Sequence, residues 1–256
     1  MPVNTLKQAL RDGRRQIGLW MGLADACAAE LLAGAGFDWL LIDAEHSPND
    51  LRCVLAQLQA AAAYPVHCIV RPVSADAHLI KRYLDIGVQS LIVPMIETPE
   101  DAARVVAATR SPVRGYRGVA SATTRASRWG RIDRYFERSD AQMFVAVQVE
   151  SVRGVENLQA IAAVEGVDGV FFGPADLAAS MGLLGKAADS RVGTAIVEGM
   201  KTVTRAGKAV GTLAGDRALA HQYLALGARF VAVGIDMALL SNAAAQLAAE
   251  FKEGSA

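Results

Sequence analysis

Two apolar, strand-like runs each lead to a carboxylate. Phe144-Val145-Ala146-Val147-Gln148-Val149 runs into Glu150, and Gly169-Val170-Phe171-Phe172 passes through Gly173-Pro174-Ala175 to Asp176. As neighbouring parallel strands, their ends would lie about 5 Å apart. Two carboxylates that close repel each other unless a cation sits between them. An all-oxygen pair with room for water and a ligand suits a divalent ion such as Mg²⁺, Mn²⁺ or Co²⁺. Glu150 and Asp176 are therefore candidate metal ligands. Gln148 points the same way as Glu150, two residues on, and can donate to whatever the ion holds. Asp176 is expected to open a short helix, whose free backbone N–H groups would receive a carboxylate. Together these features describe a pocket for a 2-oxo acid, which chelates through its carboxylate and ketone oxygens.

Other polar residues fall at the ends of apolar runs. Asp43 ends one, Glu45-His46 follow at once, and Arg71 ends another. On a barrel, all of them project at the C-terminal mouth. His46, with an unperturbed pKa of about 6.5, suits a general base acting directly or through water. Arg71 supplies positive charge where an enolate or alkoxide oxygen develops. A carboxylate beside the second ring nitrogen would raise the basicity of His46, and Asp85 is a candidate. Structural roles are also open: Asp43 could cap the next turn, and Arg71 could be an ion pair with Asp43 or Glu45. His67, His78 and His221 read as structural. Schiff-base chemistry needs a lysine at the mouth. Lys208 begins a strand at the wrong end, and Lys7, Lys81, Lys186, Lys201 and Lys252 fall on helices, loops or termini.

The elements that must position these groups show in the glycine spacing. Ala35-Gly36, Gly87, Gly166, Gly207 and Gly227 each separate a helix-like segment from a short apolar run. Glycine suits the left-handed residue just past a helix. The runs are Trp39–Ile42, Leu91–Val93, Val170–Phe172, Ala209–Gly211 and Phe230–Val233, and Gln16–Gly22, Val66–Val70 and Met143–Val149 complete the set. They are apolar on both faces and followed by helical patterns, as in a parallel sheet covered on both sides. Eight such units in 256 residues predict an α/β fold, a single-domain (β/α)₈ TIM barrel. A doubly wound open sheet is the runner-up, but no Gly-x-Gly-x-x-Gly follows the first strand. The insertion 97–142 is expected to carry a helix, Pro99–Thr109, and a polar loop.

Composition narrows the partners. With 26 Lys plus Arg against 26 Asp plus Glu, the chain has no charge bias toward nucleic acid or an anionic membrane. No apolar stretch reaches the roughly 18 residues of a membrane span, and the N-terminus lacks a signal core. Cys27, Cys53 and Cys68 lack metal-type spacing and read as reduced thiols. A cytoplasmic enzyme acting on small molecules is expected.

With these residues assembled, the chain resembles the class II, metal-dependent pyruvate aldolases of the 4-hydroxy-2-oxoheptanedioate aldolase family. The resemblance runs from about Leu6 to Ala248. It rests on Phe37-Asp38-Trp39-Leu40-Leu41-Ile42-Asp43-Ala44-Glu45-His46, Val70-Arg71-Pro72, Leu91-Ile92-Val93-Pro94-Met95, Arg117-Gly118-Val119, Ala126-Ser127-Arg128-Trp129, Gln148-Val149-Glu150, and Gly169-Val170-Phe171-Phe172-Gly173-Pro174-Ala175-Asp176. It implies that Glu150 and Asp176 bind the metal, His46 is the base, Asp85 raises its basicity and Arg71 stabilises the transition state. Gln148 and the Ala175–Asp176 backbone would contact pyruvate. It also implies a homo-hexamer, a trimer of dimers exchanging the last helix, and a role in aromatic catabolism. The implied reaction is reversible cleavage of a 4-hydroxy-2-oxo acid to pyruvate and an aldehyde such as succinic semialdehyde. Aldolases for 2-keto-3-deoxy sugar acids or with hydroxypyruvate as donor are the near alternatives. A citryl- or malyl-CoA-type lyase would use the Arg-rich stretch 110–138 as a nucleotide groove. A non-catalytic metal-binding or assembly protein is a third reading. Ala44 and Ala120 replace glycines expected in relatives, and Thr123-Thr124 replace apolar residues in a loop expected to border the aldehyde.

Overall fold

Eight parallel strands hydrogen-bond in chain order and close on themselves. In the computed structural model, which describes residues 2–252, they are β1 (Gln16–Met21), β2 (Trp39–Asp43), β3 (His67–Arg71), β4 (Ser90–Val93), β5 (Phe144–Val149), β6 (Gly169–Phe172), β7 (Ala209–Leu213) and β8 (Phe230–Ile235). Closure runs through β1 and β8, with Gln16 opposite Phe230 and Ile17 opposite Val231. The molecule is the expected (β/α)₈ barrel, and the open sheet is excluded. Each expected strand is present, within a residue or two at its ends.

Alternation along the strands explains why their sequences are apolar throughout. One set of side chains, including Trp20, Trp39, Phe144, Phe171 and Phe230, fills the barrel interior. The other, including Leu40, Ile42, Val70, Val147 and Val170, packs under the helices. The interior is aromatic: Trp20 and Phe171 have ring centroids 5.7 Å apart, as do Phe144 and Phe230. Such bulk needs compensation. A Cβ on Gly18 would lie 2.2 Å from the Trp39 indole, so no larger residue fits there without repacking. Leu6 and Leu10 of the helix Thr5–Arg11 reach the same interior cluster.

Punctuation follows the glycine logic. Gly87 and Gly227, after the helices Ala77–Asp85 and Arg217–Ala225, have φ of +102° and +106°. The next strand starts within three residues of each.

The insertion departs from expectation. Its helix Pro99–Thr109 forms, with a capping box between Thr98 and Asp101. The rest is not simply a polar loop: it contains helical turns at Arg125–Ser127, Tyr135–Ser139 and Asp140–Gln142, and Ala126, Tyr135 and Ser139 are buried. One arginine ties it to the barrel and another braces it internally. Arg125 Nη1 donates to the Ile86 carbonyl (2.8 Å) and Arg117 Nη2 to the Tyr135 hydroxyl (2.7 Å). Because Ile86 lies in the turn entering β4, this part sits toward the N-terminal end of the barrel. Thr123-Thr124 therefore do not border the mouth of their own protomer.

The last helix, Asp236–Lys252, stands apart. Asp236 is its one buried residue, and Leu239, Leu240, Leu247 and Phe251 are 53–77% exposed. Asp236 anchors its start by accepting from the N–H groups of Gly22 (2.9 Å) and Leu23 (3.1 Å).

Candidate active site

Glu150 follows directly on β5, at the C-terminal mouth, and is buried at 3% exposure. Its Oε1 accepts the Met95 backbone N–H at 2.9 Å, and its Oε2 accepts from Gln148 Nε2. Across from it, the chain leaves β6 through Gly173. A Cβ there would sit 2.4 Å from Glu150 Oε2, so only glycine lets the two strand ends approach so closely. Burial first, then the negative charges of Asp176 and Glu45, push the Glu150 carboxyl from 4.5 up to about 7, against the two hydrogen bonds it accepts. A carboxylate so placed lacks a counter-charge. Gln148 Oε1 is also buried with no hydrogen-bond partner among the described residues, which leaves a polar atom for a ligand.

Asp176 is not the residue that opens its helix. The helix Pro174–Ser180 is capped by Gly173, and Asp176 lies in its first turn. Proline at the first helical position explains the difference, since its fixed φ starts the helix two residues earlier. The side chain of Asp176 is exposed and acts electrostatically on Glu150. The N–H groups of Ala175 and Asp176 belong to the turn that has no intrahelical acceptor. Among the described residues no three His, Cys, Asp or Glu side chains converge as a metal site. The protein would offer a carboxylate pair, leaving the other positions of an ion to water and substrate. The buried, anion-crowded Glu150 and the unpaired Gln148 oxygen fit such an ion.

Arg71 ends β3 and is buried between three groups. Its Nε and Nη2 donate to Asp43 Oδ1 and Oδ2 at 2.8 and 2.7 Å, and its Nη1 lies 2.8 Å from Glu45 Oε2. The guanidinium also stacks on Trp20, 4.6 Å from the ring centroid, and the Trp20 indole N–H donates to Asp43 Oδ2 (3.1 Å). Desolvation opposes ionisation of Asp43, but Arg71 and the other donors hold its carboxyl below its ordinary value. Asp43 is thus the clamp of Arg71 rather than only a turn cap. Burial raises the Glu45 carboxyl despite Arg71. His46 is exposed at 65%, with Nε2 3.9 Å from Glu45 Oε2.

Asp85 is not brought to His46 within the protomer. It ends the helix Ala77–Asp85, which runs from the mouth back toward the opposite end. There burial raises its carboxyl, while Arg117 and Lys81 act to lower it. Lys208 Nζ donates to the Val167 carbonyl (2.7 Å) at that same far end. His67 is structural: its Nε2 pairs with Ser90 Oγ at 2.7 Å, and burial pushes the ring down to about 4. Two further contributors were less legible. Trp20 carries a visible signal, a polar N–H near the end of the first strand. Met95 carries none, because it acts through a backbone N–H presented at a left-handed φ of +56°.

The family model described as HpcH/HpaI aldolase/citrate lyase matches residues 16–243. The chain belongs to this family. It is 60% identical over 252 residues, 98% of this chain and 91% of the relative, to a hydroxypyruvate/pyruvate aldolase of Deinococcus radiodurans. It is 53% identical over 248 residues, 97% of this chain and 95% of the relative, to a 4-hydroxy-2-oxo-heptane-1,7-dioate aldolase of Shigella sonnei. A solved member of the HpcH/HpaI family from Burkholderia cenocepacia has a TM-score of 0.94 and 46% identity, covering 98% of this chain and 100% of that one. The chain is a carbon–carbon lyase of the aldolase type.

Proposed function

We propose that this HpcH/HpaI family enzyme reversibly cleaves 4-hydroxy-2-oxo acids to an aldehyde and a 2-oxo acid, with a divalent ion held by Glu150 and Asp176. The observation that carries the reading is the buried Glu150 carboxyl, raised to about 7 beside Asp176 and Glu45 and next to the unpaired Gln148 Oε1. A divalent ion there would supply Lewis-acid polarisation of the substrate ketone. The chain's own groups do the rest. Gln148 and the first-turn N–H groups of Ala175 and Asp176 orient the oxo-acid carboxylate. His46 takes the proton of the C4 hydroxyl as the C3–C4 bond breaks; the electron pair of that bond passes into the enolate of the 2-oxo acid, and a proton returned to C3 completes the product. Arg71, locked by Asp43 and Glu45, faces the negative charge developing on oxygen and needs no reorganisation to do so.

The donor is pyruvate or hydroxypyruvate, supported by the names of the two relatives, with succinic semialdehyde as the default aldehyde. A CoA-ester lyase is less well supported. Arg117, Arg125 and Arg134 of the Arg-rich stretch are engaged by protein acceptors, and Arg110 and Arg114 face the N-terminal end of the barrel, away from Glu150. The exposed apolar residues of the helix Asp236–Lys252 support assembly through that helix, as in the trimer of dimers expected from the resemblance. Asp85 would act on His46 only across an interface between copies. The test is cleavage of 4-hydroxy-2-oxoheptanedioate before and after EDTA, then with Mg²⁺, Mn²⁺ or Co²⁺ restored. Turnover that EDTA stops and an ion restores supports the proposal; undiminished turnover in EDTA overturns the metal role.

A further inference from the structure

A cavity of about 1020 Å³ opens at the N-terminal end of the barrel, opposite Glu150. Its walls are the helix Thr5–Arg11, the segment after the helix Pro99–Thr109, and the turns entering β6 and β7. Five cationic side chains line it: Lys7, Arg11, Arg110, Arg114 and Lys208. Lys7 is committed to Asp168 at 2.9 Å and to the Met143 carbonyl. The other four form no ion pair among the described residues, although the charges of Asp168 and Asp140 reach Arg110. Arg110 Nη1 donates to the Asp140 carbonyl (2.9 Å) and Lys208 Nζ to the Val167 carbonyl (2.7 Å), which fixes both heads and leaves further N–H groups free. Arg11 and Arg114 form no ion pair among the described residues.

The lining carboxylates do not balance this set. Asp168 is taken by Lys7 and by the Val145 N–H (3.0 Å). Glu137 pairs with Arg134, and Asp140 accepts the Ser111 N–H at 3.3 Å. Glu165 is the one lining carboxylate that no such contact engages. The cations also act on one another. Burial is the largest cause that lowers Lys7 and Arg110; Asp168 opposes it at Lys7, and Asp168 and Asp140 oppose it at Arg110, while smaller contributions from Arg11 and Arg110 on Lys7, and from Arg114 on Arg110, add to the lowering. An anion would relieve that repulsion.

We propose that this cavity is a second ligand site, holding a phosphate or phosphate monoester between Arg11, Arg110, Arg114 and Lys208. Arginine forks match the paired oxygens of phosphate, and lysine adds a point charge. The packed interior rings of Phe144, Phe171 and Phe230 lie between this cavity and the mouth, so the ligand does not reach the reacting atoms. This site is separate from the aldol chemistry.

The experiment is thermal denaturation of the full chain against increasing inorganic phosphate, with ionic strength held constant by sodium chloride. Wild type is expected to show a saturable rise in Tm. The double variant R11E/R114E, at two exposed positions, should bind at least about a hundredfold more weakly, because two charge-assisted contacts are reversed. Its cleavage activity in phosphate-free buffer should be unchanged, which also reports that it folds. Arg71→Lys should keep the phosphate response, separating this cavity from the mouth. No saturable rise, an equal rise in R11E/R114E, or loss of the response in Arg71→Lys would each overturn the proposal.

Discussion

Replacing Glu150 with glutamine should make the metal-free protein more stable and the enzyme inactive. The carboxyl titrates at about 7 instead of 4.5 because it is buried among negative charges. The folded chain therefore holds that proton more tightly than the unfolded chain. Stability from this group is full below about pH 4.5 and falls as pH rises toward 7. The rise is about 2.5 units (7 − 4.5), and each unit is worth about 1.36 kcal/mol, so ionised Glu150 costs about 3 kcal/mol at pH 8.5. The amide of Glu150→Gln carries no charge. It can still accept from Met95 N–H, and the Gln148 amide, which donates to Glu150 Oε2 in the wild type, can turn over so that its Oε1 accepts the new donor. In a chain of this size that is a Tm gain of about 6–12 °C at pH 8.5, vanishing near pH 4.5. Calorimetry of both proteins in EDTA across pH 4.5 to 8.5 reads the difference directly. Added Mn²⁺ should raise the Tm of wild type and not of the variant. A variant less stable than wild type at pH 8.5, or a difference independent of pH, would refute the electrostatic account of this site.

Other outcomes test neighbouring parts. Asp43→Asn strips the bidentate partner from buried Arg71 and should lower kcat by about a hundredfold and stability by about 3 kcal/mol; steady-state kinetics and denaturant melts check both. Gly173→Ala places a methyl 2.4 Å from Glu150 Oε2. It should cost about a hundredfold in kcat/KM by displacing the carboxylate, with an interior otherwise unchanged by circular dichroism. His67, pushed down to about 4 by burial, stays neutral when folded while the unfolded chain takes up a proton below about 6.5. Stability should therefore fall as pH drops from about 6.5 toward 4, and His67→Gln should flatten that slope in acid melts.

What the sequence could reveal follows from the range of the forces involved. The barrel was legible because local rules write it: two-sided burial makes the strands apolar, and helix ends demand residues such as Gly87 and Gly227. The mouth residues Asp43, His46, Arg71 and Glu150 were legible for the same reason, since strand ends fix their location. What failed depended on long-range packing. The ion pair of Arg71 with Asp43 and Glu45 was among the sequence readings, but the part of Trp20, which stacks on Arg71 and donates to Asp43 from a third strand, is encoded by no spacing. The position of Thr123-Thr124 is set by Arg125 reaching Ile86, a contact across 39 positions. Asp85 was a candidate partner of His46, and its role rested on the resemblance. In a β/α unit the last residue of the helix lies far from the mouth, so within one protomer the two do not meet.

The central claim is that this mouth activates the methyl group of a 2-oxo acid with an ion held by Glu150 and Asp176. The most direct measurement is exchange of the pyruvate methyl protons in D₂O, followed by NMR, with EDTA and then with Mn²⁺ or Mg²⁺ restored. Exchange is expected to stop in EDTA, to return with the ion, and to be absent in Glu150→Gln under all three conditions. Exchange that persists in EDTA, or none at all with the ion present, would contradict it.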